Sequence, residues 1–202
     1  MWRLKLTDLT HSYGRQSVFA PIHFDADVTR LGISGPNGAG KSTLMSILAG
    51  LIEPSQGSIT WTEKGLAVSM HELRSKIGFA GPYLGLYTEL TVRENLRFIC
   101  DLHGLDVARI ETVAAQLEFD SVLDQRVGAC SSGQQQRVRL ATSFIHQPAM
   151  LFLDEPGTNL DESGLSIVAS IVRDWSGPVI IASNQPSELA WCQDTLYVGR
   201  ET

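Results

Sequence analysis

Gly35-Pro36-Asn37-Gly38-Ala39-Gly40-Lys41-Ser42-Thr43 is the stretch on which the reading of this chain turns. It fits G-x-x-x-x-G-K-[ST] and stands between two recognisable neighbours. Before it, Leu31-Gly32-Ile33-Ser34 reads as a buried strand; after it, Lys41 to Leu51 reads as a helix with Leu44, Ile47, Leu48 and Leu51 on one face. Strand, glycine-rich turn and helix in that order make a phosphate cradle. Glycines let successive backbone N–H groups point at phosphate oxygens, and the helix start adds its positive end. Lys41 supplies a mobile charge for the terminal phosphates and Ser42 a hydroxyl for Mg²⁺. Asn37, Gly38, Ala39, Gly40, Lys41, Ser42 and Thr43 are thus the expected binding residues for a nucleoside triphosphate.

A second stretch answers the first. Met150-Leu151-Phe152-Leu153-Asp154-Glu155 is an apolar strand ending in two carboxylates. A phosphate loop of this kind needs an acid at a neighbouring strand end to hold the magnesium shell, and Asp154 suits that role. Glu155, one residue beyond the strand, is the candidate general base for an attacking water.

The remainder of the chain fits around these two. With 202 residues it is long enough for one domain, or one core with a lobe. Apolar residues make up 43% and charged residues 19%, as in an ordinary globular chain. The net charge of −6 argues against a sequence-independent grip on nucleic acid. No apolar run approaches a membrane span, and the N-terminus lacks a signal-peptide core. Cys100, Cys130 and Cys192 are widely separated, with no metal-ligand spacing, which points to a reducing cytoplasm and no structural zinc.

Trp2, Leu4 and Leu6, then Val18, Ile22 and Phe24, alternate as paired strands do. From Leu90 to Val127 the pattern becomes helical, with Val92, Leu96, Ile99 and Leu102 at three- and four-residue steps. After MLFLD come a helix carrying Leu165, Val168, Ile171 and Val172, a strand Val179-Ile180-Ile181-Ala182 stopped by Pro186, and a last strand in TLYVG. The expected fold is therefore α/β: a mostly parallel sheet flanked by helices, with an N-terminal antiparallel β region and an inserted helical subdomain.

Between the two motifs lies Cys130-Ser131-Ser132-Gly133-Gln134. It resembles the L-S-G-G-Q signature of ATP-binding cassette (ABC) proteins, with Cys130 in place of Leu and Ser132 in place of the first Gly. A serine hydroxyl and free N–H groups at a helix start make a second anion site. The resemblance covers nearly the whole chain and implies a P-loop NTPase core in 1–81 and 148–202, with about 82–147 as the helical subdomain. It implies that Ser131, Gly133 and Gln134 close on ATP held by another cassette. Asp161, ending Pro156-Gly157-Thr158-Asn159-Leu160-Asp161, resembles the end of the loop that crosses to that partner. Tyr13 lies where the family places the aromatic residue that stacks on adenine.

Two positions depart from the family pattern. Pro82 stands where a glutamine usually touches Mg²⁺ and the attacking water. Ser183-Asn184 stands where the family has Thr-His, so the resemblance places Asn184 at the γ-phosphate with an amide donor and no titratable charge. The implied function is the ATPase subunit of an ABC transporter at the cytoplasmic face of the membrane. Its partners would be ATP with Mg²⁺, a second cassette and a separate membrane subunit, with no nucleic acid. The chain's size is similar to export cassettes such as those for haem in cytochrome c maturation. Leu84, Leu86 and Tyr87 are candidate apolar contacts for the membrane subunit, core packing being an equal account of each. A single cassette ATPase of iron–sulfur assembly is the alternative class. A small-molecule kinase would have no need of Ser131 to Gln134.

Overall fold

Two strands of this protein are buried along their whole length, and that fact sets the architecture. In the computed structural model, which describes residues 1–82 and 85–199, β9 (Met150–Asp154) and β10 (Val179–Ala182) are buried at every position. Continuous apolar strands of this kind belong to parallel sheets covered on both faces. They pair with each other, with β5 (Arg30–Ser34) and with β8 (Ile77–Ala80), and β11 (Asp194–Tyr197) closes the far edge. The sheet order is β11-β5-β10-β9-β8, parallel throughout. The chain leaves β5 in one direction, to β8, and returns from β10 to β11 on its other side. The end of β5 is thus a topological switch point, where open α/β sheets take their ligands.

A second sheet, β4-β1-β6-β7, is antiparallel. Its strand β1 (Trp2–Thr10) alternates buried and exposed residues, with β4 (Ile22–Val28) and β6 (Gln56–Glu63) on either side and β7 (Leu66–Val68) beyond. Helix α1 (Lys41–Leu48) is packed between the two sheets. Trp61 on β6 joins the three layers. It meets Trp2 edge-on at 6.3 Å and Phe152 of the parallel sheet at 6.5 Å. Its indole N–H donates to the Leu48 carbonyl at the end of α1, 3.0 Å away.

The opposite face of the parallel sheet is covered by α3 (Val92–His103), α4 (Arg109–Gln116), α5 (Ser132–Phe144) and α6 (Glu162–Asp174). Parity along the central strands decides which core each residue enters. Met150, Phe152, Ile180 and Ala182 face Trp61 and α1, while Leu151, Leu153, Val179 and Ile181 face the helices. Thr91 with Glu94, and Ser131 with Gln134, form capping boxes that start α3 and α5. Two short helices complete the chain: α2 (Met70–Lys76), before β8, and α7 (Pro186–Leu189), after β10.

Three details differ from the reading of the sequence. The helix expected to run to Leu51 ends at Leu48, because Gly50 turns the chain at φ 71 and leaves Leu51 half exposed. Val18 lies outside the strands and packs beneath the phosphate loop. Strands β6 and β7 and helix α2 were missed, although Ser69 and Glu72, which form a capping box, mark the start of α2. In QGSITWTE only Ile59 and Trp61 are apolar and only Trp61 is fully buried, so the alternation is too short to announce a strand of eight residues.

Trp61→Ala is expected to destabilise the protein by about 3–5 kcal/mol, since it opens a cavity and orphans the Leu48 carbonyl. Leu66→Ala, at an exposed position of β7, should cost less than about 0.5 kcal/mol. Urea unfolding of the two variants checks the contrast.

Candidate functional site

Sheet pairing fixes where the functional side chains emerge. Ala182 is registered against Ile33 on one side and Asp154 on the other, and Ala80 against Leu153. The chain therefore leaves four strands along one rim, delivering the 35–40 loop, Glu155, Asn184 and Pro82 to the same edge. Gly40 begins α1 with φ 98, and a Cβ there would collide with Val18 and Phe19. Only glycine fits this turn.

A cleft of about 480 Å³ opens at the rim, lined by Tyr13, Asn37, Gly38, Gly40, Lys41, Ser42, Thr43, Pro82, Asp154 and Glu155. Ala39 is not among them; its methyl is buried in the core. Lys41 is nearly buried, its ammonium donating to the carbonyls of Gly35 at 3.0 Å and Pro36 at 3.3 Å. The loop's own carbonyls thus hold the cation at the cleft. Tyr13 sits at the mouth on the β2 (Ser12–Tyr13)/β3 (Gln16–Ser17) hairpin, its ring exposed and braced edge-on by His11 at 4.8 Å.

Asp154 is buried, and desolvation raises its carboxyl above the usual range. Ser42 and the charge of Lys41 oppose that rise, and Glu155 adds to it. The Ser42 hydroxyl and the Asp154 carboxyl line the same cleft, and they are hard oxygen donors of the kind Mg²⁺ takes, so they fit such an ion. Glu155 bends out of β9 at φ 48, its N–H donating to the Ala182 carbonyl at 2.8 Å. Asn184 reaches the phosphate loop directly: its Nδ2 donates to Oδ1 of Asn37 at 2.8 Å.

Ser131, Gly133, Gln134 and Asp161 lie outside the cleft. The Ser131 hydroxyl accepts from the Gln134 N–H at 3.2 Å, and Gln134 Oε1 accepts from the Ser131 N–H at 2.8 Å. Asp161 caps α6 by accepting from the Gly164 N–H at 2.9 Å, and Arg137 donates to the same oxygen at 2.9 Å. Those two bonds, the backbone one first, hold the Asp161 carboxyl below its usual range. Gly133 lies against the Asn159 carbonyl. These residues form a separate surface at two helix starts.

Three polar residues essential to this arrangement were missed in the sequence. Gln136 is buried and donates to the carbonyls of Pro156 at 2.9 Å and Glu155 at 3.4 Å. Arg137 ties α5 to Asp161, to Glu118 and to the Leu117 carbonyl. Glu188 is buried behind the rim and accepts from the Gly157 N–H at 3.1 Å. A signal existed for Gln136, which lies four and eight residues before Leu140 and Phe144 on the buried face of α5. Nothing comparable marked Glu188.

The family model described as ABC transporter matches residues 26–158. The ABC transporter ATP-binding protein NatA of Bacillus subtilis (strain 168) is 36% identical over 148 residues, which are 71% of this chain and 60% of NatA. This chain therefore spans less than two thirds of that relative. The cytochrome c biogenesis ATP-binding export protein CcmA of Vibrio vulnificus (strain YJ016) is 32% identical over 188 residues, 90% of this chain and 92% of CcmA. In fold, the chain matches the dimeric structure of MJ0796, a bacterial ABC transporter cassette, with a TM-score of 0.82 at 21% identity over 97% of this chain and 94% of that one.

Burial of an ionised Asp154 opposes folding, so Asp154→Asn is expected to raise the melting temperature of the nucleotide-free protein at neutral pH. The folded-state pKa is the raised one. The penalty is therefore full above it and vanishes as pH falls towards the unfolded value. Thermal scans across that range should show the advantage of the variant narrowing as the solution becomes more acidic.

Proposed function

The chain belongs to the ABC transporter family, and on that premise we propose that it is an ATP-hydrolysing cassette that acts in pairs and drives a separate membrane subunit. One observation carries the reading. Lys41, Ser42, Asp154, Glu155 and Tyr13 line a single cleft, with Asn184 bonded to its wall. In this reading adenine stacks on Tyr13, and the phosphates lie along the N–H groups of residues 37–43, with Lys41 at the terminal ones. Ser42 and Asp154 hold Mg²⁺, which when bound neutralises charge on the β- and γ-phosphate oxygens. Glu155 takes the proton of the attacking water, and the Asn184 amide donates to the γ-phosphate.

Ser131, Gly133, Gln134 and Asp161 serve the nucleotide of a second cassette. Their placement outside the cleft supports that role, because none of them reaches the chain's own phosphate loop. Segments 1–81 and 148–202 are read as the catalytic core, and about 82–147 as the lobe that meets the membrane subunit. Among the described residues, no helix is long and apolar enough to cross a membrane. Tyr87 and Phe98 form an exposed aromatic pair on the lobe, with ring centres 6.1 Å apart. Leu86 instead packs into the lobe core, and Leu84 lies outside the described residues. The membrane subunit would place this chain at the cytoplasmic face. Haem or another small molecule is the cargo favoured by the likeness to CcmA over nearly its whole length.

Glu155→Gln keeps the shape of the site and removes the base. Hydrolysis should nearly stop, and Mg-ATP should then hold two chains together in light scattering. A variant that stays monomeric and still hydrolyses ATP would contradict both the base and the pairing.

Asn184→His restores the donor usual in the family, and the single-turnover rate should rise about tenfold, short of the roughly hundred- to thousandfold worth of a well-aligned donor. Adding Pro82→Gln should raise it further. An unchanged or lower rate would mean that Asn184 already does the work of the histidine.

A further inference from the structure

Glu188 is a carboxylate where carboxylates are rare. It is the third residue of the four-residue helix α7 and only 3% exposed, and acidic side chains are almost never so deep unless paired. Among the described residues it has no ion-pair partner, and its Oε2 is buried with no hydrogen-bond partner. Its side-chain bond goes instead to the site: Oε1 accepts from the Gly157 N–H, two residues beyond Glu155. The backbone leads the other way, towards Asn184. The Glu188 N–H donates to the Gln185 carbonyl at 3.2 Å, and the Gln185 N–H donates to the Ser183 oxygen at 2.9 Å. Asn184 thus lies between two bonded residues, immediately before the N-cap of the helix that carries this carboxyl.

We propose that Glu188 is a positioning residue for ATP hydrolysis, tying the segment that carries Asn184 to the turn that carries Glu155. This rests on the ATPase reading above. The fit is close: a Cβ at residue 157 would overlap Glu188 Oε1 and press on Leu165, so only glycine lets the carboxyl reach the backbone. On the far side of the same turn, Gln136 holds the carbonyls of Glu155 and Pro156. The turn is therefore gripped by its carbonyls from α5 and by its N–H from α7. Without the Glu188 side chain, the Gly157 N–H loses its acceptor on α7, and the two groups facing the γ-phosphate lose their fixed separation. Burial raises the Glu188 carboxyl, and Glu155 raises it further.

The experiment measures single-turnover hydrolysis, together with ATP and ADP affinity, for the wild type, Glu188→Ala, Glu188→Gln, Asn184→Ala and the Glu188→Ala/Asn184→Ala double variant. Glu188→Ala should slow hydrolysis about tenfold or more at nearly unchanged affinity, as expected when reacting groups are slightly misplaced. Glu188→Gln keeps an oxygen acceptor for Gly157 and should stay within about threefold of wild type. The two alanine losses should be less than additive, because Glu188 acts partly through Asn184. Glu188→Asp, one methylene too short to reach the Gly157 N–H from α7, should be intermediate, and it serves in place of Glu188→Ala if that variant is insoluble. The proposal is overturned by a wild-type rate in Glu188→Ala, by Glu188→Gln as slow as Glu188→Ala, by additive losses, or by affinity and rate falling together. A wild type that binds ATP and never turns it over would instead defeat the ATPase reading itself.

Discussion

Backbone pairing in the parallel sheet is the constraint from which the site follows. Hydrogen bonding sets Ala182 beside both Ile33 and Asp154, and Ala80 beside Leu153. Whatever follows each of these strands must then emerge on one edge. Burial enforces the register. In β9 and β10 every second residue enters the core around Trp61 and the others enter the core beneath the helices. A slip of one residue would exchange these sets and draw Asp154 down into the apolar interior. The phosphate loop, two acids and an amide meet because hydrophobic packing permits no other alignment of the strands that carry them.

This explains which parts of the protein were legible in its sequence. The phosphate loop is local: its glycines, Lys41 and Ser42 act within nine consecutive residues, between a strand and a helix that both announce themselves. MLFLD and VIIA were readable because fully buried strands are simply apolar. The antiparallel strand β6 was not, since seven of its eight residues avoid full burial and its one anchor, Trp61, packs on residues far away in sequence. The end of α1 was misplaced by Leu51, whose apolar character continued the helical pattern past a backbone turn at Gly50. Leucine at a helical step reports where a helix would bury it, and the turn at Gly50 is decided by φ.

Polar scaffolding was the least legible part. Gln136 bonds to carbonyls nineteen and twenty residues away, Arg137 to a carboxylate twenty-four away, and Glu188 to an N–H thirty-one away. Three consecutive glutamines, Gln134 to Gln136, have the same chemistry on paper. The first closes a capping box, the second donates to the Val127 and Cys130 carbonyls, and the third is buried against the Glu155 turn. Apolar burial leaves a periodic trace because any apolar partner will serve. A buried polar group needs one particular partner, and tertiary structure supplies it.

The site's internal hydrogen bonds set what a bound phosphate must replace. Lys41 is satisfied by the carbonyls of its own loop and Asn184 by Asn37. An arriving phosphate therefore exchanges bonds: the Asn184–Asn37 bond is neutral and worth about 1 kcal/mol, whereas the Lys41 bonds already have one charged partner. What the internal acceptors lack is charge. Carbonyl and amide oxygens hold Lys41 and Asn184 in place without matching an anion, so the surplus on binding comes from charge-assisted contacts to Lys41 and from the start of α1. Asn184, an uncharged amide, gains less from that surplus than Lys41 does. Its release from Asn37 is consequently the more finely balanced step. Asn184 also lies just before α7, whose Glu188 bonds to Gly157 on the turn that follows Glu155.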